Sequence, residues 1–449
     1  MKLLIADLKS RSIQMIKVIG GGLAGCEAAW QLANRGIDVK LYEMKPQKFT
    51  PAHKNKNLAE LVCSNSLKAA RLDSAAGLLK AEMELLGSLT VPCAKQCAVA
   101  AGGALAVDRE KFSALVTEKI KNHPKIELVS EEVDDIPETP VIIATGPLTS
   151  DALADRIKSL CGGNLSFYDA AAPIVSFDSL DKEKVFFASR YDKGDSDYIN
   201  CPMNKEEYLA FYNALCEAET AELKDFETAD GYKVYEGCMP IERLAKRGED
   251  TMRFGPLKPV GLIDQRTGRR PYAVVQLRRE DAVGTMFNLV GFQTNLKFGE
   301  QKRVFSMIPG LENAEFFRYG VMHRNSFIDS PRLLNVDFSM KKNPQIYFAG
   351  QITGVEGYME SAASGIVAGI NCARAFEGKS AIDIPEVCMI GALSRYISNG
   401  SVTDFQPMGA NMGVLPPLSE NIRDKKLKYM KLAQRSVDAL KFAVEAQEI

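Results

Sequence analysis

Apolar positions first become regular at Met15, where IKVIGGGLAGCEAAWQLANRG predicts a short strand, a glycine turn and an amphipathic helix ended by Gly36. DVKLYE comes next as a second strand closing at Glu43, and the polar KPQKFTPAHKNKN after it predicts a loop. The segment LAELVCSNSLKAARLDSAAGLLKAEMELLG is mostly helical in period. In DREKFSALVTEKIKNHP, Asp108 is placed to cap a helix whose apolar face is Phe112, Leu115, Val116 and Ile120. That helix leads into the strand IELVS, and VIIATGP at 141–147 is a further buried strand. Strands alternating with helices at this spacing predict a parallel, doubly wound sheet.

From about residue 165 the texture turns β-rich, in AAPIVSF, KVFFASRY, YAVVQL and TMFNLVGF, with one capped helix from Asn204 through Cys216. The α/β pattern returns in QIYFAGQITG and the small-residue helix GYMESAASGIVAGINCARAF. The chain then ends on the loop TDFQPMGANMGVLPPLS and the basic helix RDKKLKYMKLAQRS.

Composition narrows the classes. Among 449 residues, 56 Lys and Arg face 57 Asp and Glu, for a net charge of −1 with 46% hydrophobic content. That balance excludes a disordered chain and a uniformly basic coat, so any polyanion must be met by local basic patches. The start MKLLIADLKS breaks its apolar run at Asp7 and Lys9, which argues against a secretory signal. Ten scattered cysteines then fit reduced thiols in a soluble, cytoplasmic protein, and residues 1–14 read as a dispensable extension before a start at Met15. Cys93 and Cys97 have no second pair, and His53, His123 and His323 lie far from them, so no structural metal is expected.

Gly20, Gly22 and Gly25 form G-x-G-x-x-G between a strand and a helix, and Glu43 closes the next strand, which together make a dinucleotide-binding fingerprint. Gly20 allows the tight turn, Gly22 lets the backbone approach a pyrophosphate, and Gly25 lets helix and strand pack closely. The intervening Gly21, Leu23 and Ala24 belong to the same phosphate cradle at the helix N-terminus. Glu43 is suited to a ribose, and its charge argues against a 2′-phosphate. FAD and NAD share this unit. The second strand-to-glycine turn, FAGQITG with Gly350 and Gln351, suits a flavoprotein but equally an ordinary buried strand.

The expected fold class is therefore α/β: a Rossmann-like FAD-binding domain with a parallel sheet, interrupted by an inserted α+β domain. The expected boundaries are 15–165 and 335–398 for the two parts of the nucleotide domain, 166–334 for an inserted substrate domain, and 399–449 for the C-terminal loop and basic helix.

Two cysteines stand apart. Cys63 sits among small polar residues in LVCSNSLK, and Cys238 sits in the turn YEGCMPIERLAKRG, just before Arg243, Lys246 and Arg247. Nearby cations favour the nucleophilic thiolate, although most cysteines are simply small buried hydrophobes. Cys26, Cys161, Cys216, Cys372 and Cys388 keep that plainer role.

GGGLAGCEAAWQLANRG, LAELVCSNSLKA, YINCPMNKEEY, YEGCMPIERLAKRG, GPLKPVGL, LVGFQTNLKFGEQKRVF and YFAGQITGVEGYMESAASG resemble the folate- and FAD-dependent tRNA (uracil-5-)-methyltransferases over nearly the whole chain from Met15. The resemblance implies that carbon comes from 5,10-methylenetetrahydrofolate, that reduced FAD, renewed by NADH or NADPH, completes the methyl, and that the product is 5-methyluridine at position 54 of the tRNA T-loop. It further implies that Cys238 adds to C6 of the uracil and that Cys63 is the general base for the C5 proton. The thiolate adduct is what makes C5 nucleophilic, so two thiols and a flavin suffice. Cys201, in YINCPM, is assigned structure rather than catalysis. The sequence departs from the family pattern at its first fourteen residues and at Gly409 and Met412 in FQPMGANMG.

RNA must be held while its uridine leaves the loop. The candidates are Arg243, Lys246 and Arg247; Arg269, Arg270, Arg278 and Arg279; and the helix bearing Arg423, Lys425, Lys426, Lys428, Lys431 and Arg435. Rival readings are the same chemistry on a uridine of ribosomal RNA, and a non-catalytic RNA-binding flavoprotein. The larger flavoprotein of wobble-uridine carboxymethylaminomethylation has a long C-terminal helical extension that this chain lacks, and a disulfide reductase fails on the spacing of Cys93 and Cys97.

Overall fold

A computed structural model describes residues 15–50, 52–138, 140–163, 165–192, 198–221, 239–280, 284–402 and 405–449. A six-stranded sheet forms the nucleotide domain, in the order Ser339–Met340, Asn343–Phe348, Val141–Ile143, Ile16–Ile19, Val39–Glu43, Ile126–Ser130. Its pairs are parallel except for the edge hairpin of Ser339–Met340 with Asn343–Phe348. Strands buried on both faces need continuous apolar runs, and Ile16, Val18, Val39, Leu41 and Val141 to Ile143 are fully buried. The late strand thus lies beside the early ones, and the intervening residues emerge between two neighbouring strands.

Two helices pack tightly beneath the nucleotide turn: Leu23–Asn34 and the small-residue helix Tyr358–Phe376. A Cβ at Gly365 would stand 2.1 Å from the Ala24 carbonyl oxygen, so glycine is the residue this approach permits.

The antiparallel sheet of the insertion has the order Phe186–Phe187, Tyr198–Met203, Ala273–Arg279, Met286–Leu289, Ile174–Ser176, Phe316–Arg318. It carries a separate core around Tyr208, Phe211, Phe292 and Phe305. The helix Lys205–Glu217 begins at Asn204 with a reciprocal cap: the Asn204 side chain accepts from Glu207 N, and Glu207 accepts from Asn204 N. Asp108 likewise caps Arg109–Lys121 by accepting from Lys111 N.

The segment expected to be mostly helical from Leu58 is not. Only Ala75–Leu85 is helix, and Ser66–Ala69 is a strand paired with Ala104–Val107. The cause is local: the Ser64 hydroxyl accepts from Ser66 N, the Ser66 hydroxyl accepts from Lys68 N, and Lys68 takes a positive φ of 63°. Such side-chain bonds compete with the helical ladder, which restarts only where Ser74 caps Gly77 N. Cys63 is consequently held in irregular chain rather than on a helix face.

The C-terminal helix runs over Lys425–Gln447, well past its basic start, because Leu432, Ala433, Leu440 and Ala443 give it an apolar face buried near Ala75–Leu85. Buried Glu82 ties three helices together, accepting from Met389 N, Ile390 N and the Ser436 hydroxyl. Among the described residues no helix is long and apolar enough to cross a membrane.

Candidate active site

The strand Ile16–Ile19 ends in a turn that only glycines can make. Gly20 has φ 104°, and a Cβ there would lie 2.5 Å from the Ala144 carbonyl oxygen; one at Gly25 would lie 1.8 Å from Gly20 O. Gly22 differs: a Cβ there would meet nothing within 4 Å, so its backbone faces open space. Gly22 is also the N-cap of Leu23–Asn34 with no side-chain cap, which leaves the helix's positive end without a side-chain acceptor there. This is the geometry a diphosphate requires.

One cleft runs along this turn. Gly20, Gly21, Gly22, Leu23, Ala24 and Glu43 line it together with Gly350, Gln351, Tyr358 and Cys63, and a Cβ at Gly350 would stand 3.1 Å from Ala24 Cβ. Glu43 is fixed by two backbone donors, Gly21 N at 2.8 Å and Lys45 N at 3.0 Å. Gly350 donates its N–H to the Ser364 hydroxyl, and Gln351 Nε2 donates to Glu356 Oε2 at 2.8 Å. The two glycine turns that lie far apart in sequence therefore border one cavity.

Cys63 lines this cleft against the Tyr358 hydroxyl. That oxygen accepts from Cys63 N at 2.8 Å and Ser64 N at 3.2 Å, and lies 2.9 Å from Cys63 Sγ. Burial and the neighbouring thiol hold the Tyr358 hydroxyl well above its ordinary value, so it stays a neutral phenol.

A cationic cage surrounds the same loop. Arg109 donates to the Leu61 and Val62 carbonyls and forms a two-point pair with Glu280, with Nε to Oε2 at 2.7 Å and Nη2 to Oε1 at 3.1 Å. Arg318 Nη1 also donates to the Val62 carbonyl, at 3.0 Å. Arg278 Nη2 donates to the Ser64 hydroxyl at 2.7 Å and Nε to Asn65 Oδ1 at 3.0 Å. Asn65 Nδ2 in turn donates to the Arg279 carbonyl, which joins the insertion to the cysteine loop. Burial pulls Arg278 and Arg318 below the ordinary guanidinium value.

Cys238 lies outside the described residues. The chain immediately after it is anchored: Met239 is buried, Ile241 N donates to the Gln293 carbonyl, and Glu242 accepts from the Thr294 hydroxyl and Asn295 N. Arg243 is half-buried in the middle of Ile241–Ala245, and Lys246 and Arg247 are exposed beyond it.

The basic candidates separate by placement. Arg269, Arg270, Arg423, Lys425, Lys426 and Lys428 are exposed. Lys431 pairs with Glu420, and Arg435 donates to the Pro416 and Pro417 carbonyls. Arg278, expected on an RNA-facing patch, instead points inward to Ser64 and Asn65, because its strand turns that side toward the nucleotide domain; Arg279 packs beside Gly284. Tyr358, Arg109, Arg318 and Glu280 were missed by sequence reasoning. A tyrosine and an arginine opening helices, and an arginine ending a strand, carry no spacing signal, and only the charged run Arg278, Arg279, Glu280 at the end of a strand hinted at a buried use.

Five other thiols are held neutral by burial. Burial pushes Cys93 and Cys372 up to about 12 and Cys161 up to about 11, and it raises Cys26 and Cys201 as well. All five are inert packing groups near neutrality.

The sheet order, the two glycine turns and the fixed acid define an α/β flavoprotein fold with an antiparallel insertion. The solved structure of Aquifex aeolicus GidA, in its form II crystal, shares it with a TM-score of 0.67 at 16% identity, covering 97% of this chain and 76% of that one. The family profile of glucose inhibited division protein A matches residues 15–380. Relatives named methylenetetrahydrofolate--tRNA-(uracil-5-)-methyltransferase TrmFO are much nearer in sequence. The protein of Ligilactobacillus salivarius is 58% identical over 95% of this chain and 97% of its own. That of Acetivibrio thermocellus is 59% identical over 96% and 98%. The chain belongs to this methylenetetrahydrofolate--tRNA-(uracil-5-)-methyltransferase family.

Proposed function

We propose that the protein transfers the carbon of 5,10-methylenetetrahydrofolate to C5 of uridine 54 in the tRNA T-loop, in the cytoplasm. The observation that carries this reading is Cys63, which lines a dinucleotide cleft in a chain 58–59% identical to proteins named methylenetetrahydrofolate--tRNA-(uracil-5-)-methyltransferase. The open backbone of Gly22 and the fixed carboxylate of Glu43 fit FAD: the turn Gly20 to Gly25 would hold its diphosphate, Glu43 its ribose, and Gly350 with Gln351 its far end. When bound and reduced by NADH or NADPH, it supplies the hydride that completes the methyl group.

The chain's own residues do the rest. The Cys238 thiolate forms a bond to C6 of the uracil, which moves electron density to C5. C5 then bonds to the methylene carbon and Cys63 takes the C5 proton; the electron pair left at C5 breaks the bond from the methylene carbon to the folate nitrogen, so tetrahydrofolate leaves, and addition of the hydride to that carbon restores the C5–C6 double bond as the Cys238 thiolate departs. The Tyr358 hydroxyl orients Cys63, and its two amide contacts fix the loop.

RNA approaches from the side of the insertion and the C-terminal helix. Arg423, Lys425, Lys426 and Lys428 gather at a helix start, where like charge opposes the dipole and is unfavourable without a bound anion. Arg243, Lys246, Arg247, Arg269, Arg270 and Arg279 form the second group. Flipping the uridine costs a few kcal/mol, which these phosphate contacts offset.

The test supplies purified protein with FAD, NADPH and labelled methylenetetrahydrofolate, and offers T-loop tRNA and ribosomal RNA fragments in parallel. Label in tRNA supports the reading. Label only in ribosomal RNA keeps the chemistry and overturns the substrate, and RNA binding without label supports a non-catalytic flavoprotein.

A further inference from the structure

We propose that Arg278 and Arg318, both delivered by the inserted domain, are positioning residues that hold Cys63 in its thiolate form. The inference rests on Cys63 being the base assigned above.

The contacts bracket three consecutive residues. Val62 O receives Arg109 and Arg318, Ser64 Oγ receives Arg278, and Cys63 lies between them. Among the described residues, the groups that act on Cys63 include the Tyr358 hydroxyl from Tyr358–Phe376, Arg109 from the start of Arg109–Lys121, Arg278 from the strand Ala273–Arg279 and Arg318 from Phe316–Arg318, with Glu280 acting on all three guanidiniums. Glu280 is matched by Arg109 through two contacts. The oxygens that Arg278 and Arg318 contact are neutral: Ser64 Oγ, Asn65 Oδ1 and the Val62 and Ala172 carbonyls. Those oxygens satisfy N–H groups without balancing charge, and Glu280, which acts on both arginines, is already paired with Arg109, so among the described residues one carboxylate serves three partly buried guanidiniums, which is costly. The buried Arg318 Nε makes no hydrogen bond. An anion at Cys63 Sγ supplies the missing charge, and the Tyr358 phenol is placed to donate to it.

The arrangement also explains why the insertion returns to the nucleotide domain at this loop. Two of the three guanidiniums come from it, so the seam that bridges the two cores is also what readies the base.

The test measures alkylation of Cys63 by iodoacetamide against pH in the FAD-loaded protein, read by mass spectrometry of the peptide that contains it. Arg278→Met and Arg318→Met are each expected to raise the midpoint by about one pH unit or more, slowing labelling at neutral pH ~10-fold. Arg278→Lys keeps the charge and restores most of the shift. Ser64→Ala, which frees one Arg278 contact, gives a smaller rise and carries the test together with Arg318→Met where Arg278→Met fails to retain flavin. Midpoints unchanged from wild type in flavin-loaded Met variants would overturn the proposal, because purely structural arginines would not move them. Methyl transfer by Cys63→Ala is measured separately: retained activity defeats the base assignment alone, whereas an inactive Cys63→Ala with unmoved midpoints defeats this inference alone.

Discussion

Replacing Tyr358 with phenylalanine removes one oxygen and keeps the ring. That oxygen accepts from Cys63 N and Ser64 N and touches Cys63 Sγ, at 2.8, 3.2 and 2.9 Å. Each net hydrogen bond is worth ~1 kcal/mol, and two amides in a partly buried loop lose their acceptor together, so local stability should fall by about 2 kcal/mol. That corresponds to a ~30-fold rise in the open population of the loop. Native-state hydrogen exchange at the Cys63 and Ser64 amides reads it directly, and the turn at Gly20 to Gly25 serves as an internal control. Methyl transfer should drop through kcat, by about 10-fold or more, with little change in KM for tRNA, because the base loses its orientation rather than the substrate its contacts. Unchanged exchange at both amides together with wild-type kcat would refute the assigned role of the hydroxyl.

Other substitutions probe different parts. Gly365→Val should abolish FAD binding and soluble expression, since its Cβ meets the Ala24 backbone at 2.1 Å; a stable, flavin-loaded variant would show the helices to be further apart. Glu43→Ala should weaken FAD about tenfold or more by titration of flavin fluorescence, and unaltered affinity would exclude the ribose contact. Glu82→Ala leaves the Met389 and Ile390 amides without their acceptor, at a cost of about 3 kcal/mol, so limited proteolysis should release the C-terminal helix, and a resistant variant would contradict it. Lys425→Glu with Lys426→Glu should lower the slope of log affinity for tRNA against log salt by about 2, and a constant slope would remove that helix from the RNA surface.

Much of this is legible in the sequence, for identifiable reasons. Gly20, Gly22, Gly25 and Glu43 obey steric and spacing rules that hold within a short stretch of chain, and the caps at Asp108 and Asn204 are equally local. The segment around Cys63 reads as helix when its period is counted and the serine hydroxyls that compete for its backbone are not. Arg278 reads as surface for a different reason: which face of a strand is buried depends on what the neighbouring domain brings, and here it brings Asn65 and Ser64 from more than two hundred residues away. Tyr358, Arg109 and Arg318 converge on one loop from three distant elements, and no short-range pattern encodes such a meeting.

Cys63, in the lining of the cleft, is assigned to methylation of the T-loop uridine. Nuclease digestion and mass spectrometry of tRNA, after reaction with labelled methylenetetrahydrofolate and either wild type or Cys63→Ala loaded with FAD, tests it most directly. Labelled 5-methyluridine at position 54 is expected with wild type and none with Cys63→Ala. Full labelling by the variant, or label at another position, would contradict it.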